Sequence, residues 1–370
     1  MNARILLLSD IDSPHTRKWA VSLAERGYTI GVFSLRRSES GWIKDFPAIQ
    51  AFDAQGFSSG KFSEGNTSKL GYLKLVPVLR KVIAEFKPDV VHAHYATSYG
   101  LLGARSRFHP FIISVWGSDV FDFPHAGFLN KRMLIYNLKR ADRIFSTSHV
   151  MKKEVVQYVD RRVEVTPFGV DVNVFSPGKS SRHEAGTKVI GIIKSLEHKY
   201  GIDVLIRAFA LVKKEFAGNV KLVIGGDGSG RAAYTQLAEE LGLSSSVTFA
   251  GRIAAAEVAD YHRSFDVFAS LSNLDSESFG VSLVEAMACG KPAVVSDVAG
   301  LKEVAADNET ALIVPRGNER KAAGALLRIL NDESLAQRLG TAGRERVLQL
   351  YDWQKNLDHI EELYAEILKK

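Results

Sequence analysis

One cysteine in 370 residues, Cys289, leaves no intramolecular disulfide framework and no Cys-rich zinc site. Long apolar runs are missing too: none approaches the roughly 18 residues needed to span a bilayer. The amino terminus offers only Ile5 to Leu8 before Ser9 and Asp10, where a secretory segment needs about 7–15 apolar residues. A cytoplasmic protein is therefore expected. There is no low-complexity tract and no repeat with a period of roughly 20–50 residues, which sets aside solenoids and propellers. What is present is the composition of a globular enzyme, 46% hydrophobic, 24% charged and 9% aromatic. At roughly 100–200 residues per domain, this length suggests two domains or one large barrel.

The formal charge of +6 is unevenly spread. Residues 1–175 hold 24 Lys and Arg against 16 Asp and Glu, whereas residues 176–370 hold 24 against 26. The first half thus carries the whole excess. Acidic partners such as anionic lipid suit it, although scattered charges also describe a plain solvated surface.

Short apolar runs alternate with amphipathic ones. Strands are expected at 4–8, 29–34, 89–93, 111–115 and 143–147, with helices over 16–26 and 70–86. The polar stretch 176–187 has no periodicity and reads as a linker. Strands then resume at 188–193, 220–224, 247–249, 266–270 and 292–296, with helices at 203–214 and 231–241, and helical material closes the chain from 334 to 370. This alternation predicts an α/β protein with two Rossmann-like parallel-sheet domains. The expected domains are 1–175 and 176–352, with a helix at about 353–370 packing back on the first.

The most informative segment runs from Glu277 through Phe279-Gly280-Val281-Ser282 to Glu285 and on to Gly290-Lys291-Pro292. A strand leads into a polar loop, then into a short helix that Gly290 stops. The first amides of that helix, on Gly280, Val281, Ser282 and Leu283, form an anion site of the usual kind. A diphosphate there, with Glu277 and Glu285 gripping hydroxyls on either side, is a nucleotide-sugar arrangement. The same residues also fit a plain helix start with an acid near its first turn.

The pattern Glu277-x-Phe-Gly280 followed by Glu285-Ala-Met-Ala-x-Gly-x-Pro292 resembles the signature of retaining GT-B glycosyltransferases of family 4, the glycosyl transferases of group 1. Thr166-Pro-Phe-Gly-Val-Asp171, Val223-Ile-Gly-Gly-Asp-Gly-Ser-Gly230, Phe249-Ala-Gly-Arg252 and Ser296-Asp-Val-Ala-Gly-Leu-Lys-Glu303 resemble further parts of that family, in order and spacing. The resemblance implies the GT-B fold, two such domains facing across a cleft, and transfer of a sugar from a nucleoside diphosphate with retention of configuration. It implies that Glu277 touches the donor sugar, Glu285 the ribose, and Gly280, Val281 and Ser282 the sugar or diphosphate. It places a basic pair after the first strand of the second domain, here Lys194 and Lys199. Many members have Arg where Lys194 stands, so the charge is kept without the bidentate fork. Base recognition falls near Arg252 and Ile253, with UDP the favoured donor.

The first domain is then the acceptor side, for a saccharide or lipid-linked acceptor in polysaccharide or glycolipid synthesis. His15, His94, Trp116 and Asp119 follow its strands, where loops line the ligand crevice. Trp116 replaces a histidine common in the family; Asp119 keeps its family position and is expected to be catalytic. Phe57, Phe62 and Tyr72 with the basic surplus suit contact with the inner face of the plasma membrane, although 57–65 reads more plainly as a loop. Two cations and a helix end can meet the charge of a leaving diphosphate, so neither metal nor cofactor is expected. Asp10-Ile-Asp12 has metal-like spacing but no third ligand, and His92-Ala-His94 falls short of the three that a catalytic zinc needs. Gly225–Gly230 lacks the third glycine and the acid of a dinucleotide site. The competing readings are a GT-B epimerase or phosphorylase, an NAD-dependent oxidoreductase, and a nucleic-acid binder lacking an aromatic-basic motif.

Overall fold

A computed structural model describes residues 3–39, 41–54, 69–182 and 184–369. The chain divides into two compact units, Met1–Thr166 with Leu357–Lys370, and Pro167–Asn356. Each is built on one parallel sheet.

In the first unit seven strands, β1 (Arg4–Leu8), β2 (Thr29–Ser34), β3 (Ile49–Asp53), β4 (Val90–His94), β5 (Phe111–Val115), β6 (Arg143–Ser146) and β7 (Val163–Val165), lie in the order β3-β2-β1-β4-β5-β6-β7. The central runs, Ile5–Leu8, Val90–His94 and Phe111–Val115, are buried at every position. That is why Ile5–Leu8 and Phe111–Ile113 read as continuous apolar stretches instead of alternating ones: helices cover both faces of a parallel sheet. The first helix, Pro14–Glu25, turns Trp19, Ala20 and Leu23 inward. The expected helix over 70–86 is divided, a 3₁₀ turn at Lys69–Leu75 preceding an α-helix at Val76–Phe86. Pro77 lies in the first turn, where a missing N–H costs nothing.

The second unit holds β8 (Thr187–Ile193), β9 (Asn219–Gly225), β10 (Val247–Gly251), β11 (Val267–Ser270), β12 (Ala293–Ser296) and β13 (Leu312–Val314), ordered β10-β9-β8-β11-β12-β13. Cys289 is buried at the end of helix Val281–Ala288, and burial pushes its thiol up to about 11.

The units change over at Thr166/Pro167, nine residues before the expected boundary. The segment after Pro167 is bound within the second unit: Arg344 donates to the carbonyls of Val172 (2.9 Å) and Phe175 (2.6 Å), and Val170 N donates to Tyr351 O at 2.8 Å. The stretch 176–187 is no free linker either. Arg263 Nε holds Ser176 O at 2.9 Å and Ser181 Oγ donates to Asp260 at 2.8 Å. The last helix, Trp353–Leu368, joins the first unit from Leu357 onward. There Tyr364 OH meets His92 Nδ1 at 2.7 Å, and Arg26 pairs with Asp358 and Glu361. Among the described residues no helix is long and apolar enough to cross a membrane.

Candidate active site

Strand order reverses once in each sheet, between β1 and β4 and between β8 and β11. At such a point the crossovers part to opposite faces and leave a crevice at the carboxyl ends of the strands. The residues singled out in the sequence gather at these two places.

In the second unit, Lys194 follows β8 and Glu277 lies on the loop after β11. Their side chains meet, Lys194 Nζ standing 2.7 Å from Glu277 Oε2 with only 19% and 5% exposure. Burial works against the ammonium charge, but Glu277, with Tyr200 and Glu285 behind it, outweighs that and holds the Lys194 pKa above the ordinary lysine value. The sign follows: this stabilisation is complete below the ordinary lysine range and is lost only as pH rises beyond it. Lys199 lies on the same loop. Its Nζ is 4.9 Å from the Tyr200 ring centroid and that of Lys194 is 4.4 Å away, so one ring draws both cations into one neighbourhood.

The glycine run after β9 sets the position of this loop. Lys194 N donates to Gly225 O at 2.9 Å, Leu196 N to Asp227 O at 3.0 Å, and Gly230 N to Leu196 O at 2.8 Å. Gly226 has φ 121°, and a Cβ there would lie 2.0 Å from the Lys194 carbonyl. Glu197 clamps the far end, accepting from Ser229 N (2.9 Å) and Oγ (2.6 Å). These glycines let two strand-end loops touch. They approach protein backbone, which accounts for the incomplete dinucleotide pattern. Arg252 is exposed just beyond β10, and Ile253 packs over Gly225, where a Cβ would come 2.3 Å from its Cδ1.

Helix Val281–Ala288 begins at Gly280, whose φ of 82° strains any side chain, and a Cβ there would stand 2.6 Å from Leu301 Cδ2. Leu283 N donates to Gly280 O at 3.0 Å, so its amide is not open as expected. The amides of Val281 and Ser282 have no acceptor among the described residues. The buried Ser282 Oγ beside them has none either. Glu285 Oε2 is 3.3 Å from Nε2 of His262, a wholly buried residue that fixes the carboxylate's direction. No motif marked His262. It is a lone histidine on a helix far along the chain from Glu285, and only the fold brings the two together.

The first unit has a pocket of about 270 Å³ at the ends of β1, β4 and β5, lined by Ser9, Asp10, His94, Tyr95, Tyr99 and Trp116, its one carboxylate paired with Arg36. His94 is fully buried, and neither ring nitrogen has a hydrogen-bond partner among the described residues. Burial, then the charge of His15, pulls its pKa down to about 3, so the imidazole is neutral. Its ring lies 4.9 Å from that of Trp116, which in turn is 5.7 Å from His15. Tyr95 holds a positive φ of 84°, backbone strain of the kind kept at ligand sites.

Residues 178–346 match the family of glycosyl transferases group 1, and residues 4–148 match the glycosyl transferase 4-like family. The two matches cover both parallel-sheet units with the charged strand-end site in place. The chain is a group 1 glycosyltransferase of family 4. It is 31% identical over 223 residues to D-inositol 3-phosphate glycosyltransferase of Stackebrandtia nassauensis, an alignment covering 56% of this chain and 50% of that one. The chain thus spans about half the length of that relative. Among solved structures, sucrose-phosphate synthase from Thermosynechococcus elongatus matches with TM-score 0.87 at 22% identity over all of both chains. Anabaena HepE in complex with UDP and glucose matches with TM-score 0.82 at 21% identity, covering 99% and 100%. At these identities the structures show the fold, GT-B.

Within this glycosyltransferase Asp119, expected to be catalytic, is turned to backbone amides. It is wholly buried, and its carboxylate accepts from the amides of Ala96 (2.8 Å), Gly117 (2.8 Å) and Trp116 (3.1 Å). Burial pushes its pKa up while these amides pull it back. It positions the loops that present Tyr95 and Trp116. His92 is likewise structural, bound to Tyr364 and, at 2.8 Å, to Ser114 Oγ. The Asp-x-Asp pair serves the neighbouring segment and caps no helix: Arg36 grips Asp10 at 2.7 and 2.8 Å, and Asp12 accepts from Ser38 Oγ and Glu39 N, each at 2.9 Å. Among the described residues no group of three His, Cys, Asp or Glu side chains is set to hold a metal.

Proposed function

We propose that the enzyme moves a sugar from a nucleoside diphosphate donor, UDP first among the candidates, to a saccharide or lipid-linked acceptor, with retention of configuration and without a metal. The observation that carries this reading is the Lys194–Glu277 pair beside the open amides of Val281 and Ser282. In the proposed complex Glu277 grips donor sugar hydroxyls and Glu285, held by His262, the ribose. Lys194, Lys199 and the helix amides take up the charge that grows on the diphosphate as the bond from sugar C1 to phosphate oxygen breaks. The acceptor oxygen bonds to C1 on the face the diphosphate leaves, and its proton passes to the leaving phosphate oxygen. His94, neutral and unpartnered among the described residues, has a hydrogen bond to give an uncharged polyol, and Trp116 and Tyr95 offer the rings against which a sugar stacks.

The test is product formation from a panel of UDP-, GDP- and ADP-sugars with saccharide and lipid-linked acceptors, in chelator. Transfer in which the product keeps the donor's anomeric configuration is expected. Inversion, a strict need for added Mn²⁺, or conversion of the donor alone would each count against it.

Contact with an anionic membrane belongs to the same proposal, but the surface differs from the one expected. Tyr72 is buried in the core at 2% exposure, and Phe57 and Phe62 lie outside the described residues. Phe128 and Leu129, 70% and 75% exposed beside exposed Lys131 and Arg132, supply the apolar and basic pair of features instead. Co-sedimentation with phosphatidylglycerol vesicles, reduced by joint Phe128→Ser and Leu129→Ser substitution, is expected. Binding unaltered by the double change would reject this surface.

A further inference from the structure

A second charged cavity lies at the opposite edge of the donor-domain sheet from Glu277. It has a volume of about 480 Å³ and is lined by Lys179, Arg263, Asp266 and Lys291 among others. Lys179 precedes β8, Arg263 and Asp266 precede β11, and Lys291 precedes β12, so all stand at amino-terminal strand ends. Nothing in the transfer chemistry uses them.

The charges here do not balance. Asp266 is the one carboxylate lining the cavity, and it is already committed: Oδ1 accepts from Lys188 Nζ at 2.9 Å and Oδ2 from Val189 N at 2.8 Å. Arg263 is fixed by backbone carbonyls, donating through Nε to Ser176 O at 2.9 Å and through Nη2 to Val174 O at 2.6 Å. Carbonyls orient a guanidinium but leave its charge uncancelled. Lys291 is half-buried and has no hydrogen-bond acceptor among the described residues. Burial lowers its pKa first; Asp266 raises it in part, and the like charges of Arg263 and Lys188 lower it again. The hydroxyls of Ser180 and Ser264 donate to the carbonyls of Asp260 and Tyr261, so the side-chain donors left to a ligand are cationic.

We propose that this cavity binds a compact oxyanion, a phosphate group either free or as the monoester of a small molecule, held by Lys291 and Lys179 with Arg263 behind them. A phosphoryl group supplies the missing negative charge and several acceptor oxygens, and makes charge-assisted hydrogen bonds, the strong class. At roughly 30 Å³ per water, the space holds a phosphate with its hydration or with a small organic skeleton. The bound anion would tie the segment before β8 to the starts of β11 and β12, away from the transfer site.

Calorimetric titration of the full chain with inorganic phosphate and with glucose 6-phosphate, at ionic strength fixed by sodium chloride, tests the site. Lys291→Met is expected to weaken binding about tenfold or more. Lys179→Ala, at an exposed position, is expected to weaken it less and serves should Lys291→Met fold poorly. Lys213→Ala, at an exposed position outside the cavity lining, is expected to leave it unchanged. Tighter binding of the ester identifies a monoester ligand, and equal binding the free ion; both support the site. Full affinity in Lys291→Met and Lys179→Ala, an equal loss in Lys213→Ala, or heats that follow ionic strength alone would overturn it.

Discussion

The two units share one plan, a parallel sheet whose carboxyl edge opens where strand order reverses, yet their openings differ in electrical character. The second presents an ion pair, a further ammonium group and open helix amides. The first presents a neutral imidazole, aromatic rings and a carboxylate, Asp10, already held by Arg36. Under the proposed function, the contrast divides one scaffold between two tasks. A site for a diphosphate needs fixed cations and donors, whereas a site for an uncharged hydroxyl compound needs rings and hydrogen-bonding groups without net charge. The surplus of basic residues in the first half is therefore not spent in its pocket. Lys131 and Arg132, close in sequence to the exposed Phe128 and Leu129, are part of that surplus.

The contrast can be broken by substitution. The largest effect is expected for Glu277→Gln, which keeps shape and a contact to Lys194 but removes the carboxylate. Turnover should fall by about 10²–10³-fold while the thermal midpoint stays near that of the parent; near-parental turnover would remove Glu277 from the chemistry. Glu277→Ala is the poorer test, because stranding a buried ammonium costs about 3–5 kcal/mol of stability. Asp119→Asn should act on the fold. Its amide group would face backbone N–H donors, so denaturant unfolding should show a loss of about 1–3 kcal/mol. A variant of unchanged stability but no turnover would restore Asp119 to the catalytic set.

The smallest effect concerns acid. The His94 pKa is depressed to about 3 and that of His92 lies well below the ordinary value. Stability from keeping them neutral is therefore complete above the free-histidine value near 6.5 and declines as pH falls from there toward 3. Each contributes a slope of up to about 1.4 kcal/mol per pH unit. Urea unfolding between pH 7 and 5 should show His94→Phe losing about half as much as the parent; an identical slope would mean that His94 is not held neutral.

Much of the fold was legible because strands covered on both faces are largely apolar, as at Ile5–Leu8 and Phe111–Ile113. Three of the four edge strands were not. The burial pattern of Ile49–Asp53 leaves two residues exposed, and Val163–Val165 and Leu312–Val314 have three residues each, too short for periodicity to register. The domain boundary was misplaced because polar composition marks a surface, and a surface segment can still be tied down, as 176–181 is by Arg263 and Asp260. At the site, motif spacing located Glu277, Glu285, Gly280 and Lys194 but not the ion pair among them or the histidine behind Glu285. Asp119 stood at a family position, yet position alone does not say which way a carboxylate faces. Here three backbone amides decide it.

The central claim is that the charged second-unit site receives the nucleotide and the first-unit pocket does not. Hydrogen exchange of the full chain with and without saturating UDP tests it directly. Added protection is predicted over 194–201 and 277–285, with 94–99 and 116–119 little changed. Protection confined to the first-unit segments, with 277–285 exchanging as in the free protein, would contradict the account.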